Sequence, residues 1–159
     1  MAAQVVRFFT LMFVGIALAP GLAHVLQLPH KMDLSGNDYL RVQQLYAGWA
    51  WLGLVVLGAL ISTFALTILV RTRLRQFALS CIAFGSVLVT QVIFWIFTFP
   101  VNQQTHNWTL LPVNWMSLRE RWEYSHATAA VFDLIAFLAV VLAVLAAVGH
   151  REDTPTRVA

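Results

Sequence analysis

The sequence predicts an all-α protein, a four-transmembrane-helix bundle, on three observations. Apolar residues make up 60% of the 159-residue chain and charged residues only 11%, whereas soluble domains are roughly 45 to 50% apolar. Mean hydropathy is +0.75. Four apolar stretches, 5–28, 45–70, 77–99 and 126–148, each reach the roughly 20 residues that cross a hydrocarbon core at helical rise. Lipid cannot satisfy bare backbone, so these stretches must be helices that pack on one another. Little lies outside them, and one integral membrane domain over 1–159 accounts for the chain.

In the first stretch, Arg7 precedes an apolar run and Ala17-Leu18-Ala19 has the small residues of a signal cleavage site, but Pro20 follows at once and disfavours cleavage. The stretch reads as a retained helix. Pro20-Gly21 predicts a kink or local unwinding, and Pro20, His24 and Gln27 share one face at i, i+4 and i+7. Leu28-Pro29-His30-Lys31-Met32 reads as a turn into an outer connection over 29–44. In the second stretch Tyr46, Ala50 and Gly53 form a stripe, and Gly48, Gly53 and Gly58 suit close helix approach.

The short turn Arg71-Thr72-Arg73-Leu74-Arg75 is triply basic, which predicts a cytoplasmic loop and both termini inside. Arg7, Arg151 and Arg157 agree, while the outer connections 29–44 and 100–125 balance Lys31, Arg41, Arg119 and Arg121 with Asp33, Asp38, Glu120 and Glu123. That orientation puts all six tryptophans, Trp49, Trp51, Trp95, Trp108, Trp115 and Trp122, in the outer half or outer connections, with His24, His30, His106 and His126; only His150 lies inside. Interfacial anchoring decorates both faces of a membrane, so the one-sidedness points to an outer pocket. In a bacterium it would face the periplasm from the inner (cell) membrane.

The third stretch carries Gln91, Trp95 and Thr98 on one face, with Gln91 about 14 Å below Pro100 by helical rise and in need of a partner. The strongest signal is in the fourth stretch. If its helix begins near 117, spanning 117–148, then Arg119, Glu123, His126, Ala130 and Asp133 fall within roughly 80° of arc at about 100° per residue. Asp133 then lies about 10 Å below His126, where a charge is costly and either functional or paired. A structural account makes Arg119 and Glu123 a solvated i, i+4 pair and has Asp133 either hydrogen-bonded to Gln91 or protonated. Trp108, Trp115 and Trp122, with amides and hydroxyls between them, suit a cap folded over the bundle mouth.

Net charge is +3, but the basic residues are dispersed and nearly all arginine, which leaves no nucleic-acid patch or stripe. Cys81 is the single cysteine, so neither a disulfide framework nor a CxxC motif exists.

Phe99-Pro100-Val101-Asn102, Asn107-Trp108-Thr109 and Arg121-Trp122-Glu123-Tyr124-Ser125-His126-Ala127 resemble the anthrone oxygenase-like family of small four-helix integral membrane proteins, with support from His24, Leu28 to Met32, and Tyr46 to Trp51. The likeness spans nearly the whole chain and bears more on fold than on activity. The fungal anthrone oxygenases carry a proline-x-asparagine element and a tryptophan-x-x-x-histidine element followed by arginine three residues on. Pro100 to Asn102 and Trp122 to His126 match, but position 129 is alanine. That departure puts the anthrone substrate in question and leaves Arg119 or Arg121 to supply a cation.

The resemblance implies an oxygenase or related redox enzyme that needs no cofactor and acts on a small aromatic substrate. Such chemistry needs a base, a dry aromatic pocket and donors that hold an anion while oxygen attacks. His126 would be the base, oriented by Glu123 or Asp133. Asn102 and Arg119 would steady the anion, and Trp108, Trp115, Trp122, His24 and Gln91 would line the pocket. The alternatives are a non-enzymatic accessory or structural membrane protein, with a protein partner or a second copy of the chain on its cap, a haem b held by His24 and His126, and copper or zinc on His24, His106 and His126. A di-iron site fails on inventory, since Glu123-x-x-His126 occurs once.

Overall fold

A computed structural model describes residues 2–152, with side chains over 2–147. The described chain contains no strand. Four long apolar spans, Ala2–Met32, Trp49–Leu69, Leu74–Gln104 and Trp115–Ala147, are each long enough to cross a bilayer and make this an integral membrane protein. The elements are α1 (Ala2–Met32), α2 (Gly36–Gln43), 3₁₀ turns at Gln44–Tyr46 and Trp49–Trp51, α3 (Leu52–Leu69), α4 (Leu74–Ile93), a π-helical turn (Phe94–Thr98), α5 (Phe99–Gln104) and α6 (Trp115–Glu152). The side chains of His150 and Arg151, and all of Arg157, lie outside the described residues.

Consecutive spans pack side by side, and α6 closes the ring against α1 and α4. Large apolar side chains such as Phe8, Ile61, Val92 and Leu138 stay on the outside, which is favourable where the surroundings are hydrocarbon. Inside, the core at the end bearing the Arg71–Arg75 turn is small: Val14, Ala59, Ala83, Val87, Ala136, Ala139 and Val140. Hydroxyls in this half mostly return to their own helix, as Thr63 does to the Ala59 carbonyl (2.6 Å) and Ser80 to that of Gln76 (2.8 Å).

Four local expectations change. First, α1 does not unwind at Pro20-Gly21 but continues through both Pro20 and Pro29. A β-carbon at Gly21 would stand 3.0 Å from that of Ala130, so this glycine serves close α1–α6 packing. Second, Lys31 is not in a turn: it occupies the last turn of α1 and is buried.

Third, the second span opens at Trp49, and 45–51 is not α-helical. It is two 3₁₀ turns hinged at Gly48, whose φ of +87° suits glycine, so Tyr46, Ala50 and Gly53 share no continuous stripe. Of the three glycines there, Gly58 alone takes a close neighbour, the Phe13 ring. Fourth, most of 100–125 is helical, and the true link is 105–114. Pro100 has no N–H for the carbonyl four residues back. Arg121 Nη2 instead donates to that Ile96 carbonyl at 2.6 Å, beside the π-helical turn.

Candidate functional site

The bundle end opposite the arginine turn is built differently. Its core is Tyr39, Val101, Trp108, Leu118 and Trp122, and charge lies within it. Glu123 of α6, 1% exposed, is reached from two other elements, α1 and α2. Its Oε1 pairs with Lys31 Nζ at 2.7 Å, accepts from the Tyr39 hydroxyl at 2.8 Å and accepts from Gln43 Nε2 at 3.3 Å. A desolvated carboxylate is tolerated only when paired and hydrogen-bonded. Here α1, α2 and α6 each contribute, so the contacts at Glu123 Oε1 tie those helices together. Burial, followed by the Glu123 charge, holds the Tyr39 phenol above its usual range and keeps it a donor.

Lys31 also reaches His24 Nδ1 at 3.2 Å and lies over the rings of Tyr46 (5.1 Å) and Trp122 (5.2 Å). His24 in turn contacts His126, with ring centroids 4.4 Å apart and a 43° tilt, and His126 lies 4.0 Å from Trp122. Tyr46 and Trp49 flank His24 at 4.8 and 5.9 Å. Burial and then the Glu123 charge push Tyr46 up to about 12; its hydroxyl donates to Gln27 Oε1.

Partners fix the two imidazole tautomers. An ammonium only donates, so His24 accepts at Nδ1 and carries its proton on Nε2. A carbonyl only accepts, so His126, whose Nδ1 lies 2.9 Å from the Trp122 carbonyl, donates there and leaves Nε2 as a bare acceptor. Two touching imidazoles thus present opposite functions, one N–H donor and one basic nitrogen. Neither Nε2 belongs to the fully enclosed unpartnered atoms, which are Trp108 Nε1, Arg119 Nε and Glu123 Oε2.

The link over this cluster is held by an unusual backbone. His106, Asn107 and Trp108 have φ of +48°, +57° and +61°, a left-handed turn that costs non-glycine residues about 1–2 kcal/mol each. Its groups are satisfied: Trp108 N donates to Thr105 Oγ1 (3.1 Å), and the Trp108 carbonyl accepts from Gln44 Nε2 (2.8 Å). The turn seats Trp108, 2% exposed, edge-on to Tyr39 at 4.8 Å.

Several expected site residues come together. His24, Glu123, His126 and Trp122 form the cluster, and Asn102 joins it by accepting from Trp122 Nε1 at 2.8 Å. Trp108 and Trp115 lie one layer above, against Tyr39. Trp51 and Trp95 point outward and are 76% and 58% exposed, as anchors should be.

Others take different roles. The partner of His126 Nδ1 is neither Glu123 nor Asp133 but the backbone carbonyl of Trp122. Arg119 and Glu123 are not a solvated pair: both are buried, and Arg119 Nη1 donates to the Lys31 and Leu34 carbonyls at 3.3 and 3.0 Å, finishing α1. With Arg121 also on a carbonyl, the cation of the cluster is Lys31. Gln91 and Asp133 do not pair. Gln91 donates to Thr90 Oγ1 at 3.3 Å, and Asp133 faces Gly21 with no hydrogen bond among the described residues.

Sequence reasoning missed Lys31, Tyr39 and Gln43. A signal for Lys31 existed, since it follows His24 by seven residues and so returns to the same helix face. Among the described residues, no group of three or more His, Cys, Asp or Glu side chains is placed to hold a metal ion. His106 is exposed and sits apart in the left-handed turn. A haem with two axial imidazoles keeps its macrocycle between them, and rings in contact at 4.4 Å do not provide that spacing. Comparison of the chain with known protein families, with characterised proteins and with solved structures gives no match.

Proposed function

We propose that the cap-end cluster is a proton-transfer site for cofactor-independent oxygenation of an electron-rich aromatic substrate of the anthrone or hydroquinone class. The observation that carries this reading is the opposed pair of imidazoles, His126 with a bare Nε2 beside His24 with an Nε2–H. His126 takes the acidic proton, and His24 donates to the oxygen on which charge develops. Dioxygen is the oxidant: with an anthrone, one of its atoms becomes the new quinone carbonyl and the other leaves as water; with a hydroquinone, it takes up two electrons and two protons and leaves as hydrogen peroxide. General-base work of this kind is worth about 10²–10⁴-fold in rate. Lys31 and Glu123 act behind the pair: the ammonium fixes the His24 tautomer, and the carboxylate fixes the ammonium. The resemblance to anthrone oxygenases supports the same reading through Pro100 to Asn102 and Trp122 to His126.

The test is oxygen uptake by the purified protein with a panel of anthrones and hydroquinones. His126→Ala is expected to lower the rate by about 10² or more, with the thermal unfolding midpoint reported alongside to confirm folding. Uptake that persists unchanged in a folded His126→Ala protein removes the base. The competing reading, a non-enzymatic membrane protein, draws on the same Glu123 contacts, which join three helices whether or not chemistry occurs. No uptake with any member of the panel favours it.

The triply basic turn supports an orientation with both termini in the cytoplasm and the cluster at the outer, in bacteria periplasmic, face. A cysteine placed at Thr72, in a Cys81→Ser background, is expected to resist a membrane-impermeant thiol reagent in intact cells, and one at Asn114 is expected to react. The reverse labelling would invert the topology.

A further inference from the structure

The end away from the cluster carries two features. Arg71, Arg73 and Arg75 are all exposed, and among the described residues none makes an ion pair or side-chain hydrogen bond. Every carboxylate whose side chain is described lies elsewhere: Asp33 and Asp38 beyond α1, Glu120 and Glu123 in the first turns of α6, and Asp133 further along it. Between α1 and α3, on the outside of the bundle, runs an apolar groove of about 380 Å³ lined by Val5, Phe9, Phe13, Gly58, Ile61 and Ala65 among others. Phe13 packs directly onto Gly58, where a β-carbon would stand 2.6 Å from its ring.

The two features belong to one end. Arg7 Nη2 donates to Gln76 Oε1 at 3.0 Å, which sets the first turns of α1 level with the start of α4, just past the arginine turn. Ala65, at the near end of the groove, precedes Leu69 by four residues, or about 6 Å of helix. A ligand seated in both therefore carries its negative charge immediately above an apolar tail. Guanidinium forks suit phosphate oxygens, and an acyl chain suits the groove.

We infer that this end is a binding site for one anionic phospholipid, its phosphate on Arg71, Arg73 and Arg75 and one acyl chain in the α1–α3 groove. The site is independent of the proposed oxygenase chemistry and of the direction in which the bundle is inserted. Charge complementarity selects the anionic headgroup over a zwitterionic one, and the groove selects a lipid over a free phosphate.

The experiment uses the full-length protein in detergent and follows its thermal unfolding midpoint while lipid is titrated in. Long-chain phosphatidylglycerol is expected to raise the midpoint at concentrations at least tenfold below those at which phosphatidylcholine of the same chains acts. The R71Q/R73Q/R75Q protein, altered only on an exposed turn, is expected to lose that preference. Glycerol phosphate and dihexanoyl phosphatidylglycerol are expected to do little, because neither fills the groove. Equal response to both long-chain lipids, or a preference that survives in the triple variant, overturns the proposal. A full response to glycerol phosphate overturns the acyl-chain half of it and reduces the feature to a bare anion site.

Discussion

The two ends of this bundle solve the same problem, burial of helix surface inside a membrane, by opposite means. Toward the arginine turn, α1, α3, α4 and α6 meet mostly through alanine, valine and glycine, and most of the buried hydroxyls fold back on their own helices, with Thr10 also reaching the Ser62 carbonyl of α3 at 3.1 Å. Toward the cap, the helices meet through an ion pair, a phenol, two imidazoles and three indoles. Close approach of small residues needs nothing but shape, whereas a buried charge must be answered by partners. The first end can therefore hold helices together without any residue being indispensable. The second depends on individual atoms, which is the condition for a site.

The largest expected effect breaks that contrast at its centre. Glu123→Ala leaves the Lys31 ammonium at 3% exposure with no carboxylate and removes the acceptor of Tyr39 and Gln43. Losing one member of a buried pair costs about 3–5 kcal/mol. Unfolding in mixed detergent micelles is expected to show a loss in that range. The double variant Lys31→Met with Glu123→Leu removes both charges and is expected to recover most of it, since apolar replacements of a buried pair are often neutral. If Glu123→Ala costs less than about 1 kcal/mol, water reaches Lys31 and the cluster is not the closed unit described above.

The same contrast explains what could be read from the sequence. Spans were legible because each is a local property: twenty apolar residues in a row report themselves, and each of the four spans overlaps one of the apolar stretches, with the ends displaced. Trp122 to His126 stood out for the same reason, as polar and aromatic groups entering an apolar run. Lys31, Tyr39 and Gln43 were not legible as site residues, because what makes them so is Glu123, which is 92, 84 and 80 positions away. Pro29 hid Lys31 further. A proline beside His30 and Lys31 reads as a turn, yet α1 runs through it, and Arg119 takes the carbonyls of Lys31 and Leu34 at its end. Helical phase aligned Arg119, Glu123, His126 and Asp133 correctly on α6, but phase names a face and not a partner. Asp133 ended against Gly21 rather than Gln91 for that reason.

The smallest expected effect sharpens the comparison by making one substitution at both ends. Thr63 Oγ1 bonds the Ala59 carbonyl of its own helix at 2.6 Å, and that carbonyl still has a helical N–H when the hydroxyl is gone. Thr98 Oγ1 instead meets Ser125 Oγ at 2.8 Å across the seam between the π-helical turn and α6. Valine at 63 removes a bond that no other helix uses, so its cost is expected to stay within about 0.5 kcal/mol. Valine at 98 removes an interhelical bond, worth about 0.6 and at most about 1.7 kcal/mol inside membrane bundles. Ser125 keeps the Trp122 carbonyl as an acceptor at 2.8 Å, which holds the loss toward the lower figure. The test is the difference between the two variants in the same micelle unfolding assay. A cost at 63 equal to or above that at 98 would mean that hydroxyls tie helices together at the arginine end as well, and the division between an end held by shape and an end held by named atoms would fail.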